Sequence, residues 1–320
     1  MSDALAEFTP WGESGWRERA LAWAHEHAGA TVIGVDEPRL RAWSVIVRLR
    51  TSRGPVWFKA NPPGSRFEPA LTMALSQWAP GQVLAPLAVD ARQGWSLLPD
   101  GGTTIRDVLD AEPDLAVWEE LLRQYAALQR ASAPHVPEML RIGVPDLRAN
   151  TLPTWFDELL AAVPAEQYAT LSSARPMLLD RCEALAASSV PATLDHSDLH
   201  ENQVFVAGDR RFVFFDWGDA SIGHPFTSLL VVFRAVRHRF GVTQAELDRL
   251  RDAYLEPWTA EHPVAELRDT VEAATRLGAI ARANSWRRIF PEAEQAVAAE
   301  HTRSVVNWLL ILLGPTLIRG

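Results

Sequence analysis

The first hundred residues alternate between apolar and polar positions in the way that is typical of β-strands. Two apolar runs rich in β-branched and aromatic residues, RAWSVIVRLR and GPVWFKA, are separated by TSRG, which predicts a β-hairpin within residues 41–60. The stretch 83–99 predicts two further strands around a central turn. Amphipathic stretches at 14–29 and 67–79 predict helices on either side of the hairpin.

From residue 113 the apolar positions recur at every third or fourth residue, which predicts helices. One more hairpin is predicted within 193–219, where NQVFVAGDRRFVFFD turns at Ala207–Arg211. A glycine pair near residue 101 separates the two patterns. We therefore predict an α+β chain of two lobes, with a sheet-rich N-lobe at 1–100 and a larger helical C-lobe at 101–320.

The composition narrows the class of protein. A chain of 320 residues, 48% of them hydrophobic, can bury a sizeable core and is long enough for two lobes around a cleft. The net charge of −9 argues against a general nucleic-acid binder, which needs clustered positive charge. No apolar run reaches the ~20 residues of a membrane helix, and the N-terminus lacks a signal-peptide pattern. With Cys182 as its one cysteine, the chain is expected to be cytoplasmic.

One basic residue is exceptional. Lysine and arginine together number 31, and Lys59 is the one lysine among them. It directly follows the apolar run of GPVWFKA. Arginine is a wide planar fork, whereas lysine is a compact point charge on a thin stem. A narrow slot that faces phosphate accepts lysine only, so the position of Lys59 favours a functional role over a chance surface lysine.

Polar residues are concentrated in the stretch DHSDLHENQVF, residues 195–205. Asp198 lies in the loop before the predicted strand, and Asp216 ends the returning strand of the same hairpin. Because a hairpin brings its outer ends together, we expect these two carboxylates to be neighbours. Two carboxylates and an adjacent amide suit Mg²⁺, which prefers oxygen ligands. Together with Lys59 from the other lobe, they are the side chains that phosphoryl transfer requires.

These segments resemble a known family. HSDLHENQVF followed by FFDWGDASIGHP is similar to the catalytic and metal-binding loops of the aminoglycoside phosphotransferase and choline kinase-like family. WFKA is similar to the strand with that family's phosphate-binding lysine, and LLPDGG is similar to its hinge. The resemblance covers residues 30–290 and implies a bilobal protein-kinase-like fold, with a small antiparallel N-lobe and a larger, mostly helical C-lobe.

The resemblance also implies a role for each matching residue. Asp198 would be the general base for the acceptor hydroxyl, and Asp216 would bind Mg²⁺ at the terminal phosphates. Lys59 would bind the α- and β-phosphates of the nucleotide, with Glu68 holding it extended through an ion pair. His196 would support the loop by hydrogen bonding. The implied reaction moves the γ-phosphate of ATP or GTP to a hydroxyl of a small acceptor.

The amide ligand departs from the family pattern, which has asparagine five residues after the base. That position is Gln203 in this chain, and Asn202 lies one residue earlier. The following strand, QVFV, keeps the register of the family's NVLV. This register favours Gln203 as the amide metal ligand, with Asn202 as the alternative.

Other polar residues have more than one interpretation. His196 and His200 have a spacing that binds zinc on a helix, but the sequence around them favours a loop. His224 is expected to serve the turn before Pro225, with a substrate role as the alternative. A group of downstream acids either lines a pocket for a cationic acceptor or, as we favour, forms solvated helix faces: Glu256, Glu261, Glu266, Asp269 and Glu272.

A small-molecule kinase is the favoured function. The first alternative is a catalytically inactive relative that binds nucleotide and acts as a sensor or scaffold, which the departure at Gln203 would suit. A metal-dependent hydrolase built on His196, Asp198 and His200 leaves Lys59 unexplained. Gly34 is the only glycine near the expected phosphate turn, so no glycine-rich loop supports nucleotide binding. The acceptor and the choice between ATP and GTP are not determined by the sequence.

Overall fold

The N-terminal part of the chain is an antiparallel sheet flanked by helices. The computed structural model describes residues 10–41, 43–289 and 298–314. The sheet contains β1 (Val32–Val35), β2 (Arg39–Arg41), β3 (Ser44–Thr51), β4 (Gly54–Ala60), β5 (Ala88–Asp90) and β6 (Trp95–Pro99). Its order is β1-β3-β4-β6-β5, and β2 pairs with the start of β3. The two helices beside the sheet are α1 (Trp16–His27) and α2 (Glu68–Trp78).

The predicted hairpin of residues 41–60 is confirmed as strands β3 and β4. Val47 and Leu49 are buried, whereas Arg48 and Arg50 between and after them are exposed. This alternation is the period of two that a strand with one covered face requires. The register pairs Ile46 with Lys59, so the lone lysine lies one residue before the end of an internal strand.

Helix α1 covers one face of the sheet through aromatic side chains. The ring of Trp16 lies 6.4 Å from Phe58 and 6.0 Å from Trp95, measured between centroids. Trp23 also lies 6.1 Å from Phe58. Burying a side chain such as Phe58 contributes ~1.5–3 kcal/mol. This cluster holds strand β4 firmly and thereby fixes the position of its last residues.

The rest of the chain is mainly helical and carries two short strand pairs. The pairs are β7 (Thr193–Asp195) with β10 (Ser221–Gly223) and β8 (Val204–Ala207) with β9 (Arg211–Phe214). The helices are α3 (Ile105–Ala111), α4 (Ala116–Ser132), α5 (Val136–Ile142), α6 (Leu152–Leu160), α7 (Ala165–Ser172), α8 (Arg175–Ala186), α9 (Leu229–Phe240), α10 (Gln244–Leu255), α11 (Val264–Ile289) and α12 (Ala298–Leu310). The predicted α+β fold, a small antiparallel sheet with a larger helical part, is confirmed.

The second predicted hairpin is confirmed as β8 and β9. Its outer ends meet, because the backbone N–H of Phe215 donates to the carbonyl oxygen of Gln203 at 3.1 Å. Residues that follow β9 therefore lie beside the loop that precedes β8. This contact places Asp216 next to Gln203 before any side-chain interaction is considered.

Helix α11 packs closely on the short turn that follows Pro225. A Cβ atom at Gly278 would lie 2.5 Å from the carbonyl oxygen of Thr227, so only glycine permits this approach. The close packing brings the C-terminal half of α11 against the loops around β8 and β9. Within the described ranges, no helix is both long enough and apolar enough to cross a membrane.

Candidate active site

Lys59 connects the sheet to the loop after β9. Its Nζ atom lies 2.7 Å from the carboxylate of Glu68 and 2.5 Å from Oδ1 of Asp216. Glu68 is in the first turn of α2, and its side chain is buried, as is that of Lys59. One ammonium group therefore bridges a strand, a helix and a loop that are far apart in sequence.

The charges of these three groups depend on one another. Burial opposes the charge on Lys59, but the carboxylates of Asp216 and then Glu68 outweigh it and raise the lysine pKa. Burial likewise opposes the charge on Asp216, and Lys59 overcomes it to lower the pKa of that carboxyl. Burial raises the pKa of Glu68 against the opposing effect of Lys59. Lys59 is therefore a fixed positive charge at neutral pH.

Two residues of this region have left-handed backbone conformations that side chains other than glycine rarely adopt. Ser197, directly before Asp198, has φ of 61°, and Asp216 has φ of 65°. Such residues cost ~1–3 kcal/mol each and cluster at functional sites. Next to Asp216, the carbonyl oxygen of Gly218 accepts hydrogen bonds from Ser65 Oγ at 2.8 Å and Arg288 Nη2 at 2.9 Å. These bonds hold the loop in its strained conformation.

Asp198 lies in the loop between β7 and β8 and is mostly buried. Its Oδ1 atom is 3.1 Å from Nη2 of Arg282 on α11, and its Oδ2 atom is 3.7 Å from Nε2 of His200. Burial raises the pKa of Asp198 to about 6, against the opposing effect of Arg282. A carboxylate with this pKa is ionised at neutral pH and is still a competent proton acceptor.

His196 joins the loop of Asp198 to the loop of Asp216. Its Nε2 atom is 2.9 Å from the carbonyl oxygen of Phe215, which can only accept, so this nitrogen carries the proton. Nδ1 then accepts from the backbone N–H of Asp198 at 3.4 Å. Burial lowers the pKa of His196, and its ring packs on Trp217 with centroids 4.7 Å apart. A neutral imidazole therefore positions the backbone of Asp198.

Asp195 anchors the same loop from inside the protein. Its Oδ1 atom accepts from the backbone N–H of Ser197 at 2.8 Å and from Oγ of Ser228 at 2.6 Å. Its Oδ2 atom accepts from Oγ1 of Thr227 at 2.8 Å. No role for this residue is predicted from the sequence. The structure shows it at the end of the buried strand β7, where a charge is rarely placed without partners.

The two amide candidates have different environments. The side chain of Asn202 is exposed, and its Oδ1 atom accepts from Nε of Arg106 at 2.5 Å. Gln203 is buried, and its amide nitrogen donates to Oδ2 of Asp216 and to the carbonyl oxygen of Asn202, each at 3.2 Å. A carboxylate and an amide oxygen are ligand types that Mg²⁺ accepts. Gln203 and Asp216 therefore fit a metal, whereas Asn202 is engaged elsewhere.

His200 and His224 each accept a hydrogen bond from a backbone N–H of their own loop. Nδ1 of His200 accepts from the backbone N–H of Asn202 at 3.2 Å. Nδ1 of His224 accepts from the backbone N–H of Phe226 at 3.3 Å, and burial lowers the His224 pKa to about 3. In the part of the chain that the structure describes, no three His, Cys, Asp or Glu side chains are grouped to hold a metal.

Arg282 is the main residue of this site that could not be predicted from the sequence. It is buried, and it bridges Asp198 and Asp219, with Nη1 lying 2.6 Å from Oδ2 of Asp219. Burial opposes the charge on its guanidinium, but Asp198 and Asp219 outweigh that effect and raise its pKa. No local pattern in the sequence marks Arg282, because α11 reaches the loop only through tertiary packing.

The downstream acids do not surround Asp198. Glu256 pairs with Arg123 at 2.6 Å and Glu261 pairs with Arg130 at 2.8 Å, and both glutamates are exposed. Both arginines lie on α4, on the surface that faces α10. Both residues are solvated, as expected, but they lie in a short 3-10 helix (Glu256) and the turn after it (Glu261) and not on α-helix faces, and their partners are arginines.

An aromatic pair joins the sheet to α11 beside the site. Trp43 lies in the turn between β2 and β3, where a kinase would carry its phosphate loop. Its ring meets Trp286 edge to face, with centroids 6.1 Å apart. Trp43 is nevertheless 46% exposed. The turn between β2 and β3 therefore contacts the helical part through Trp43. It contains no glycine-rich motif.

A small antiparallel sheet above a helical part, with a buried lysine–glutamate pair facing two loop aspartates, is the arrangement of a kinase-like phosphotransferase. The sequence model of the phosphotransferase enzyme family matches residues 42–268, which is more than half of the chain. The chain therefore belongs to this family. The resemblance inferred from its motifs, and the prediction that it is a phosphotransferase, are confirmed. No curated protein matches the sequence.

Solved structures of kinases share the fold. An ethanolamine kinase from Plasmodium vivax is 11% identical with a TM-score of 0.64, over 95% of this chain and 90% of that chain. A choline kinase from Streptococcus pneumoniae is 12% identical with a TM-score of 0.61, over 92% and 99%. An amicoumacin kinase in complex with AMP-PNP and Ca²⁺ is 11% identical with a TM-score of 0.58, over 88% and 89%.

Proposed function

We propose that this protein is a small-molecule kinase that transfers the γ-phosphate of ATP or GTP to a hydroxyl of a small acceptor. The observation that carries the proposal is the contact of one buried lysine, Lys59, with both Glu68 and Asp216. An ammonium held by a carboxylate on each side is positioned to bind nucleotide phosphates. Glu68 keeps Lys59 extended, and Asp216 lies where the terminal phosphates would be.

Asp198 is the proposed general base. It accepts the proton of the acceptor hydroxyl while the hydroxyl oxygen bonds to the γ-phosphorus and the bond to the bridging oxygen of the nucleotide breaks. ADP or GDP leaves with that oxygen. Arg282 and the His196-supported backbone keep the Asp198 carboxylate in place, which is the positioning that phosphoryl transfer depends on.

Asp216 and Gln203 are the residues proposed to hold Mg²⁺. The metal, when bound, neutralises the charge of the terminal phosphates. The direct contact between the two side chains, one a carboxylate and the other an amide, supports this assignment. The kinase-like relatives also support it, because one of them was solved with a nucleotide analogue and Ca²⁺.

The test is the release of ADP and of GDP with Mg²⁺ present, across a broad panel of hydroxyl-bearing acceptors. Acceptor-dependent release would establish the kinase and identify its substrate class. Absence of release, together with absence of thermal stabilisation by either nucleotide, would overturn the proposal. Nucleotide binding without release for any acceptor would favour the alternative of an inactive, nucleotide-binding relative.

The rate should depend on pH through Asp198. Because the base must be unprotonated and burial raises its pKa to about 6, kcat/KM should be maximal above that pH. Below it, kcat/KM should fall roughly tenfold for each pH unit. A pH profile of kcat/KM at saturating Mg²⁺ measures this directly.

Arg282→Gln is the matched variant for the pH profile. The guanidinium of Arg282 lowers the pKa of Asp198. Its removal should therefore move the acid limb of the kcat/KM profile to higher pH. An acid limb at the same pH in both proteins would show that another group controls it.

Gln203→Ala should raise the Mg²⁺ concentration needed for half-maximal rate, whereas Asn202→Ala should leave it nearly unchanged. The reason is that Gln203 faces Asp216, while Asn202 is bonded to Arg106. Loss of an oxygen ligand is expected to cost ~10–100-fold in metal dependence. The reverse order of the two variants would make Asn202 the ligand. Magnesium titration of the initial rate provides the measurement.

A further inference from the structure

The surface next to Asp198 is built from arginine and tryptophan. Trp308 on α12 is half-buried, and two guanidinium groups lie against its ring: Arg282 at 5.3 Å and Arg234 at 5.2 Å from the centroid. Arg282 in turn contacts Asp198. Arg234, on α9, is therefore joined to the proposed base through one aromatic ring and one arginine.

The two arginines differ in what neutralises them. Arg282 is buried and paired with both Asp198 and Asp219. Arg234 is exposed, and within the described ranges no carboxylate lies within ion-pair distance of it. A guanidinium that rests on an aromatic face and lacks a carboxylate keeps its donors available to a ligand.

A third arginine adds positive charge to the same region. Arg288 donates to the backbone carbonyls of Ala220 and Gly218, and these carry no compensating charge. The region therefore holds three guanidinium groups and two carboxylates: Arg234, Arg282 and Arg288, with Asp198 and Asp219. Glu256 and Glu261, two of the acids considered for a cation-binding pocket, instead pair with arginines of α4.

We propose that the acceptor is an alcohol that also carries an anionic group, a carboxylate or a phosphate, and that Arg234 on the face of Trp308 binds that group. This inference rests on the proposed kinase function, because it assumes that the acceptor hydroxyl meets Asp198. Arg234 is a specificity-determining residue in this scheme: it orients the acceptor and takes no part in proton transfer. A purely cationic acceptor would be repelled by the positive charges of Arg234 and Arg282. The carboxylates available to it would be those of Asp198, the base, and Asp219.

The geometry favours bidentate recognition. The planar fork of arginine matches the two oxygens of a carboxylate or phosphate, and the ring of Trp308 limits the directions in which Arg234 can turn. The anionic group and the reacting hydroxyl would then be separated by the width of the Trp308 ring and the Arg282 side chain. An acceptor long enough to carry a hydroxyl at one end of that distance and a carboxylate or phosphate at the other meets this requirement, whereas simple amino alcohols, which are short and carry no anion, do not.

The test offers each acceptor skeleton in three forms: a hydroxy acid, its amide and the corresponding amine. Binding is measured first, without turnover, by quenching of tryptophan fluorescence in the presence of ADP and Mg²⁺. We expect the acid of a skeleton to bind more tightly than its amide and amine. Arg234→Gln should weaken binding of the acid about tenfold to hundredfold while leaving the amide unchanged. Trp308→Phe should remove most of the quenching signal.

Arg303→Gln is the matched control, because Arg303 is also an exposed arginine and lies on the same helix as Trp308. It should bind every member of the panel as the unmodified protein does. A preference for amines, or an acid preference that survives Arg234→Gln unchanged, would overturn the inference. Since binding is read separately from ADP release, acid-specific binding without any phosphoryl transfer would count against the kinase function and not against the anion site.

Discussion

Asp198→Asn should retain nucleotide affinity and lower kcat by about 10²–10⁴-fold. Asparagine has the same shape as aspartate, and its oxygen can still accept from Arg282, which lies 3.1 Å from Asp198. It has no affinity for the proton of the acceptor hydroxyl at neutral pH. Lys59 and Asp216 are untouched by the change, so the nucleotide site stays intact. Steady-state ADP or GDP release gives kcat, and calorimetric titration gives the nucleotide affinity.

Asp157→Asn is the control for that variant. Asp157 is an exposed aspartate of the helical part, paired with Arg175 at 2.8 Å, and it lies outside the site. Its replacement should alter neither rate nor affinity. Near-normal turnover in Asp198→Asn would show that Asp198 is not the base, and parallel losses of nucleotide affinity and rate would show a damaged fold instead.

Lys59→Arg should lower kcat/KM by about 10²-fold or more, although the positive charge is kept. The ammonium lies 2.7 Å from Glu68 and 2.5 Å from Asp216 in a slot that is almost closed to solvent. A planar guanidinium is too wide for that slot, and a misplacement of about 1 Å is enough to cost 10²-fold in rate. Overpacking should also lower the free energy of unfolding by ~1–3 kcal/mol. Initial rates and urea unfolding measure the two effects.

The opposite exchange on the neighbouring strand is the control. Arg48→Lys changes an exposed side chain of β3, two residues from the partner of Lys59 in the register. It should be neutral in rate and in stability. Full activity of Lys59→Arg would show that the site also accommodates a guanidinium. A narrow slot would then not explain why this chain has a single lysine.

Much of the site could be predicted from the sequence because its parts lie on local elements. The hairpin that ends at Lys59 follows from a period of two, and the hairpin of β8 and β9 places Asp216 beside Gln203. The register of the strand QVFV favoured Gln203 over Asn202 as the amide metal ligand. The structure places Gln203 inward against Asp216 and Asn202 outward on Arg106, because successive residues entering a strand point to opposite sides.

Other parts could not be predicted because they depend on contacts between distant segments. Arg282 reaches Asp198 only because Gly278 lets α11 approach the turn after Pro225. The left-handed conformations of Ser197 and Asp216 are imposed by the hydrogen bonds of their surroundings and leave no mark in the sequence. The pairing of Glu256 and Glu261 with arginines of α4 likewise appears only when the helices are packed.

Short-range periodicity, spacing and residue chemistry were enough to predict the α+β organisation, the two hairpins, and the candidate roles of the lone lysine and the two aspartates. Which charges meet, Lys59 with Asp216 and Arg282 with Asp198, depends on how distant segments pack. The physical reason is that an ion pair needs its nitrogen and oxygen atoms within ~4 Å of each other. Sequence patterns place an element along the chain, but only packing brings a guanidinium or an ammonium within that distance of a particular carboxylate.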